Sequence, residues 1–194
     1  LIMKTGLVFH ELYLWHHTGN HADYIPYGYP VEPLNHSESP DAKRRIKNLL
    51  EVSGLYEKLF KISPRKATKD EILYFHTENH FEKIKSLNNS ITVDAGITAP
   101  TGIGTFDIAL LATGGVLEAT DKILEGKVNN AYALVRPPGH HAMPNRAMGF
   151  CIFGNAAIAG KHALKNKDLK KIAFVDWDVH HGNGTPVSYT HLTL

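Results

Sequence analysis

Apolar residues recur along this chain with two different spacings, which predict helices that alternate with short buried strands. Continuous apolar runs predict strands at Gly6–His10, Ala131–Val135 and 171–179. In the clearest helical pattern, residues 105–126, apolar positions recur every three or four residues until Gly126. The Gly114–Gly115 pair inside it predicts close helix packing rather than a phosphate site. Further helices are predicted over 41–53, 78–87 and 154–165, so the sequence predicts an α/β fold with helices covering a parallel sheet.

Local signals predict where two of these helices begin and end. Ser39 followed by Pro40 predicts a helix start, with the serine hydroxyl as the cap and proline at the first helical position. Gly54 predicts the end of that helix. Thr68 and Glu71 have the spacing of a capping box ahead of the next apolar run.

The composition is that of a soluble globular chain with little net charge. The 194 residues are 43% hydrophobic and 21% charged, with a formal net charge of +2. This length suffices for one domain with a core, and the near-neutral charge disfavours nucleic-acid binding. The single cysteine, Cys151, lies among apolar residues, which predicts a packed side chain rather than a nucleophile. Because no stretch approaches the roughly 20 apolar residues of a membrane helix, we expect a cytoplasmic protein that binds neither membrane nor nucleic acid.

Two polar segments follow predicted strands and carry the candidate chemistry. In the run VDWDVHH, the alternation of a strand places Asp176, Asp178 and His180 on one face, at the carboxyl end where open α/β sheets bind ligands. Aspartates on an apolar strand are costly to bury unless they are paired or bind a metal. Asp178 and His180 offer the oxygen and nitrogen donors that zinc accepts.

The segment RPPGHHA forms the second wall of the predicted site. Its prolines stiffen the loop and its glycine permits a tight turn, so His140 and His141 can present two imidazoles to one pocket. Asp176 is a candidate to orient one of these histidines and raise its basicity. The arrangement therefore predicts metal-assisted hydrolysis in which a histidine accepts a proton. The alternative is that a histidine pair is incidental surface. We assign the remaining noted histidines to loops or helix surfaces: His16, His17, His76, His80 and His162.

Together these motifs resemble the zinc-dependent histone deacetylase family, most closely its class II-like branch and the bacterial amidohydrolase relatives. The matching runs are HSESPDAKRRI, TFDIALLATGGVLEA, ALVRPPGHHA, GFCIFGNAAIA and VDWDVHHGNGT. The resemblance covers Gly6 to Thr185. It implies the arginase–deacetylase fold, a three-layer α/β/α sandwich with a parallel sheet, here truncated at the C-terminus. It also implies one catalytic Zn²⁺ ion and a structural K⁺ ion.

The resemblance further implies a role for each matching residue. The implied catalytic residues are His140, His141, Asp176 and Asn183. Among them, His141 is the general base and acid and His140 acts mainly electrostatically, with Asp176 supporting His140 and Asn183 supporting His141. The implied zinc ligands are Asp178 and His180, and the backbone around Asp176, Asp178 and His180 holds the potassium ion. The implied substrate contacts are Gly149, Phe150, Pro138 and a rim acid, Asp94.

The resemblance ends near Thr185. A third zinc ligand and a tyrosine or histidine for the oxyanion cannot be assigned, and Pro186 stands where the family continues with glutamine. We therefore expect residues 4–185 to be the N-terminal part of a deacetylase-like domain and residues 186–194 to be a non-native tail. We expect the chain by itself to be poorly soluble and nearly inactive.

For the full-length parent, the resemblance implies removal of acetyl or other acyl groups from lysine side chains of proteins, or from small amines such as acetylpolyamines. An oligomer is compatible with this function. Two alternatives stay open. An arginase-like ureohydrolase is disfavoured because Gly182 stands where a second metal ligand is required. A catalytically dead protein that binds metal or acyl-lysine is the other.

Overall fold

A computed structural model describes residues 3–20, 32, 34–165 and 168–188. The strands are β1 (Thr5–Val8), β2 (Phe60–Ile62), β3 (Val93–Asp94), β4 (Gly96–Ile97), β5 (Pro100–Thr101), β6 (Asn130–Ala133) and β7 (Ala147–Met148). The α-helices are α1 (Asp41–Val52), α2 (Lys69–Ile72), α3 (Glu78–Ser86), α4 (Thr105–Leu124), α5 (Asn155–Ala163) and α6 (Gly184–Val187). Two 3₁₀ helices cover Glu11–Trp15 and Tyr56–Lys58.

The main sheet is parallel, as the alternation of helices and strands predicts. In the described part of the chain it has the strand order β2-β1-β6, with Gly6 opposite both Phe60 and Ala131. The carboxyl ends of these strands therefore meet at one edge of the sheet. From the end of β6 the chain passes directly into the RPPGHHA segment, so the sheet itself positions the candidate site.

Helix α4 covers the sheet and packs against α5 on its other side. Its glycine pair allows close packing, as predicted, but against β1, Tyr13 and the segment at residues 64–67 rather than against α5. A Cβ atom on Gly114 would collide with the carbonyl oxygen of Arg65, and one on Gly115 would lie 2.6 Å from the hydroxyl of Tyr13. Among the described residues, no helix combines the length and the apolar composition that crossing a membrane requires.

The helix ends follow the sequence signals. Thr68 Oγ1 accepts a hydrogen bond from Glu71 N while the Glu71 carboxylate accepts one from Thr68 N, which is the predicted capping box. Gly54 follows α1 with φ of 71°, a left-handed conformation that favours glycine. At the start of α1, Ser39 Oγ accepts a hydrogen bond from Asp41 N at 3.4 Å and Pro40 already has the helical angles φ −64° and ψ −17°, which agrees with the predicted serine cap and proline at the first helical position.

The strand predicted over 171–179 is wrong, since this segment pairs with no strand in the described residues. Its apolar side chains are exposed: Val175 by 80%, Trp177 by 91% and Val179 by 93%. An apolar run indicates strand propensity, but a strand forms only where a neighbour completes its backbone hydrogen bonds. For the same reason the aspartates of this segment are not buried, and the side chains of Asp176 and Asp178 are 38% and 48% exposed.

Three histidines that were predicted to lie in loops or on helix surfaces are core residues, which corrects that prediction. His16, His76 and His80 are each less than 5% exposed. His76 Nε2 accepts a hydrogen bond from Gly154 N at 2.9 Å, and His80 Nε2 donates to the carbonyl oxygen of Ile152 at 2.9 Å. The sequence could not reveal this, because a buried polar side chain is compensated by backbone groups that only the tertiary fold brings to it.

We expect the fold to lose stability on acidification from about pH 6.5 to about pH 3. Burial lowers the pKa of His76 to about 3 and also lowers the pKa of His80. Since unfolded histidine titrates near 6.5, the unfolded chain binds more protons than the folded chain in this window. The free energy of unfolding therefore rises with pH there, by up to about 1.4 kcal/mol per pH unit for each histidine.

Urea unfolding at a series of pH values measures this slope. The variant His76→Gln is expected to be less stable at neutral pH and to show a shallower slope between pH 3 and 6.5, because one titrating group is gone. His17→Gln, at an exposed histidine, is the matched control and should keep the wild-type slope. Equal slopes in all three proteins would contradict the prediction.

Candidate active site

The two histidines of the RPPGHHA segment lie side by side beyond the carboxyl end of β6, with ring centroids 4.0 Å apart. His140 Nδ1 lies 3.0 Å from Asp176 Oδ2, and His141 Nδ1 lies 2.7 Å from Asn183 Oδ1. These contacts are the two pairings that the resemblance implies. Because each acceptor oxygen faces Nδ1, the neutral rings carry their proton there, and each Nε2 keeps a lone pair that can accept a proton.

The two histidines differ in the charge of their partners. The hydrogen bond with His140 lowers the pKa of Asp176, so this partner is a carboxylate at neutral pH. A carboxylate stabilises a positively charged imidazolium, whereas the neutral amide of Asn183 orients its ring without adding charge. The asymmetry fits an electrostatic role for His140 and a proton-transfer role for His141.

The glycines of the HGNG segment allow this segment to approach His140 closely. A Cβ atom on Gly182 would lie 2.8 Å from His140 Nδ1 and would collide with Asp176 Oδ2. Gly184 N donates a hydrogen bond of 2.8 Å to the carbonyl oxygen of His140, which joins the two polar segments. The segments are separated by about thirty-five positions in the chain and form one site only through these contacts.

Asp178 and His180 supply two donor atoms of the kind that zinc binds. Asp178 Oδ1 lies 3.1 Å from His180 Nδ1 and accepts a hydrogen bond from His180 N at 2.8 Å. The bond from His180 N lowers the pKa of Asp178, which keeps its oxygens unprotonated. No group of three or more histidine, cysteine, aspartate or glutamate side chains that could hold a metal is found among the described residues. A catalytic zinc usually has three protein ligands, so these residues form a partial set.

A cavity of about 280 Å³ brings most of the predicted site residues together. Its lining includes both members of the histidine pair and the two candidate zinc ligands. It also includes three of the four predicted substrate contacts: Pro138, Gly149 and Phe150. The fourth, Asp94, is not part of this lining, and its carboxylate accepts hydrogen bonds from the backbone of its own loop.

Gly149 and Phe150 have backbone angles that place them against the histidine pair. Both lie in the left-handed region, with φ of 53° and 66°. A Cβ atom on Gly149 would collide with the His141 ring, so this position requires glycine. The Phe150 ring packs edge-on against the buried His36 ring at a centroid distance of 4.7 Å. Cys151 is buried beside them, as predicted for a packed side chain, and burial raises the pKa of its thiol to about 12.

The residues that hold the histidine segment in place were not predicted from the sequence. Arg136 is fully buried, and its guanidinium contacts the Glu38 carboxylate at 2.8 to 3.1 Å and the Tyr13 carbonyl oxygen at 2.9 Å. Asn155 Nδ2 donates to the carbonyl oxygen of Pro137 at 3.1 Å. An arginine between an apolar strand and two prolines was the available signal, since a charge in such a setting needs a buried partner.

Comparison with known proteins gives consistent matches over almost all of the chain. The Histone deacetylase domain family matches residues 36–191. A histone deacetylase-like amidohydrolase of Pseudomonas aeruginosa is 43% identical over 189 residues, which cover 96% of this chain and 50% of the relative. A polyamine deacetylase of Danio rerio, HDAC10, is 36% identical over 79% of this chain and 24% of the relative. The crystal structure of the HDA15 HD domain has a TM-score of 0.84 and 34% identity, covering 96% of this chain and 50% of that chain.

The parallel sheet, its covering helices and these matches define a protein of the arginase–deacetylase α/β class. Within that class, the chain belongs to the histone deacetylase family. It spans about half the length of the amidohydrolase and of the solved HD domain that it matches.

Proposed function

We propose that the full-length protein is a hydrolase that removes acetyl or related acyl groups from amines, either lysine side chains of proteins or small polyamines. One observation carries this proposal. His140 and His141, paired with Asp176 and Asn183, line the same cavity as Gly149 and Phe150. The named activities of the relatives, an amidohydrolase and a polyamine deacetylase, support the same class of reaction.

In the proposed reaction, each side chain acts on one part of the amide. His141, with Nε2 unprotonated, accepts a proton from the attacking water and later returns it to the leaving amine. His140, backed by the Asp176 carboxylate, stabilises negative charge that develops on the substrate. Phe150 borders the cavity that receives the acyl-amine. The resemblance implies that the Gly149 carbonyl accepts the hydrogen of the substrate amide.

We propose one zinc ion as the cofactor of the full-length protein, with Asp178 and His180 as two of its ligands and a third supplied outside the described residues. A zinc ion held by these residues would supply Lewis-acid chemistry, which would polarise the substrate carbonyl and acidify a water molecule. The backbone around Asp176, Asp178 and His180 stays our candidate for a potassium site. The predicted boundary between a domain at 4–185 and a foreign segment at 186–194 also stays a prediction, and 189–194 lie outside the described residues.

An acetate-release assay on the full-length protein tests the proposed function. An acetylated lysine peptide and an acetylated polyamine are the two substrates, and we expect turnover of at least one that a chelator abolishes and added Zn²⁺ restores. Turnover that survives removal of zinc would overturn the proposed cofactor. No turnover of either substrate by the zinc-loaded protein would favour the catalytically dead alternative. The preferred substrate separates a protein deacetylase from a polyamine deacetylase.

Asp178→Ala is expected to weaken zinc binding by more than about 100-fold, because it removes a ligand rather than a group that only orients one. Metal content after dialysis against a zinc buffer measures the loss without relying on activity. Asp121→Ala is the matched control, since Asp121 pairs with His162 away from the cavity. Equal zinc retention in the Asp178 and Asp121 variants would remove Asp178 from the ligand set.

We also propose that the protein is located in the cytoplasm. This proposal rests on the single cysteine, which is buried and free in the structure, and on a composition typical of soluble proteins. Cell fractionation of the full-length protein tests it, and recovery in a membrane fraction would contradict it.

A further inference from the structure

The Asp94 carboxylate organises the loop in which it lies. Its Oδ1 accepts hydrogen bonds of 2.9 Å from Gly96 N and Ala99 N, and its Oδ2 accepts one of 2.9 Å from Thr98 N. Both oxygens are therefore already engaged by backbone donors. These bonds hold Thr98 at φ of 50°, a left-handed conformation that costs free energy for a β-branched residue.

The loop is joined to the substrate-contacting segment by backbone hydrogen bonds. Strands β4 and β7 pair in parallel, with Gly96 opposite Ala147. Immediately beyond this pair, Gly149 N donates to the carbonyl oxygen of Ile97 at 2.9 Å, and Phe150 N donates to that of Thr98 at 2.7 Å. The close approach at the start of this pairing requires glycine, since a Cβ atom on Gly96 would collide with the Ala147 carbonyl oxygen.

Gly149 and Phe150 thus donate to two carbonyl oxygens in the loop that the Asp94 carboxylate organises. Phe150, at φ of 66°, keeps this angle only while the acceptors are fixed, because left-handed angles are unfavourable for phenylalanine, whereas Gly149 adopts its φ of 53° without strain. If the Asp94 carboxylate is removed, three backbone amides lose their acceptor and the acceptor carbonyls are no longer held. The predicted consequence is a shift of the Gly149–Phe150 backbone.

We propose that Asp94 is a positioning residue that acts on the reaction through Gly149 and Phe150, rather than an acid at the pocket rim that hydrogen-bonds the substrate backbone. This inference rests on the proposed function of the same cavity. It predicts that loss of Asp94 impairs every substrate that enters the cavity, whether or not the substrate has a peptide backbone. If Asp94 instead accepted hydrogen bonds from the substrate backbone, its loss would impair turnover of peptides and leave turnover of acetylated polyamines unchanged.

The test compares Asp94→Ala with wild type in the full-length protein on an acetylated lysine peptide and on an acetylated polyamine. We expect kcat/KM to fall by about 10- to 100-fold on both substrates, because small displacements of positioning groups have effects of this size. Asp94→Asn keeps one acceptor oxygen and should recover part of the loss on both. Asp70→Ala, at an exposed aspartate in the first turn of α2, is the control for removal of a carboxylate.

Amide hydrogen exchange gives a readout that does not depend on activity. In Asp94→Ala, exchange should speed up at Gly149 and Phe150 while the amides of α4 keep their wild-type rates, which separates a local shift from general unfolding. Loss confined to the peptide substrate, or unchanged exchange at Gly149 and Phe150, would overturn the inference. If wild type processes neither substrate, the proposed function fails, and the exchange result still decides whether Asp94 positions this segment.

Discussion

His141→Ala is expected to lower kcat of the full-length protein by about 10²- to 10⁴-fold while its zinc content stays at the wild-type level. The reason is that His141 is backed by the neutral Asn183 amide and has an Nε2 lone pair at the cavity, which suits proton transfer, whereas its ring is not among the proposed zinc ligands. Acetate release and metal analysis on the same preparation measure the two quantities together.

The exposed His17 provides the control for this variant, because His17→Ala removes an imidazole from a loop and should leave kcat unchanged. His140→Ala should also reduce kcat, but through lost charge stabilisation rather than lost proton transfer. Wild-type turnover in His141→Ala would remove this residue from the mechanism. Loss of turnover together with loss of zinc would show that His141 acts on the metal site instead.

Arg136→Met is expected to lower the free energy of unfolding by about 3–5 kcal/mol, the cost typical of removing one partner from a buried ion pair. The substitution leaves Glu38, which is 8% exposed, without its bidentate partner and removes the guanidinium donor to the Tyr13 carbonyl oxygen. Lys43 Nζ lies 3.6 Å from Glu38 Oε1, a longer contact that compensates only part of the charge. Urea unfolding of the full-length protein measures the change.

Two comparisons show whether the uncompensated charge is the cause. Arg136→Met combined with Glu38→Gln should be more stable than Arg136→Met alone, because the buried carboxylate is then neutral. Lys61→Met breaks the exposed contact with Glu57 and should cost less than about 1 kcal/mol. If Arg136→Met costs no more than Lys61→Met, the buried pair does not stabilise the fold.

The sequence predicted those parts of the fold that depend on local chemistry. The capping box at Thr68, the glycine at the end of α1 and the apolar spacing of α4 act over a few residues, and the structure confirms each of them. The strand at 171–179 failed because its apolar pattern is local but its hydrogen-bond partners are not. The segment favours an extended conformation but has no neighbouring strand in the described residues, and Trp177 and Val179 are therefore exposed.

The chemical identity of the candidate site was readable from the sequence, because the histidine pair and Asp176 lie in motifs whose residue types indicate their chemistry, while the role of Asn183 came from the family resemblance alone. Their pairing across more than thirty residues agrees with the contacts that the resemblance implies. What supports these side chains was not readable. The Arg136–Glu38 pair spans 98 positions, and the Asp94 loop meets Gly149 and Phe150 through backbone atoms that carry no residue-type signal.

By itself, therefore, the sequence determined the fold class, most helix boundaries and the residues that carry the proposed chemistry, since periodicity, caps and motifs are properties of neighbouring positions. Only the tertiary structure decided which histidines are buried, which charges compensate each other and where the Asp94 carboxylate is used. Those outcomes depend on desolvation and on backbone groups from distant segments, and both arise only when the chain is packed.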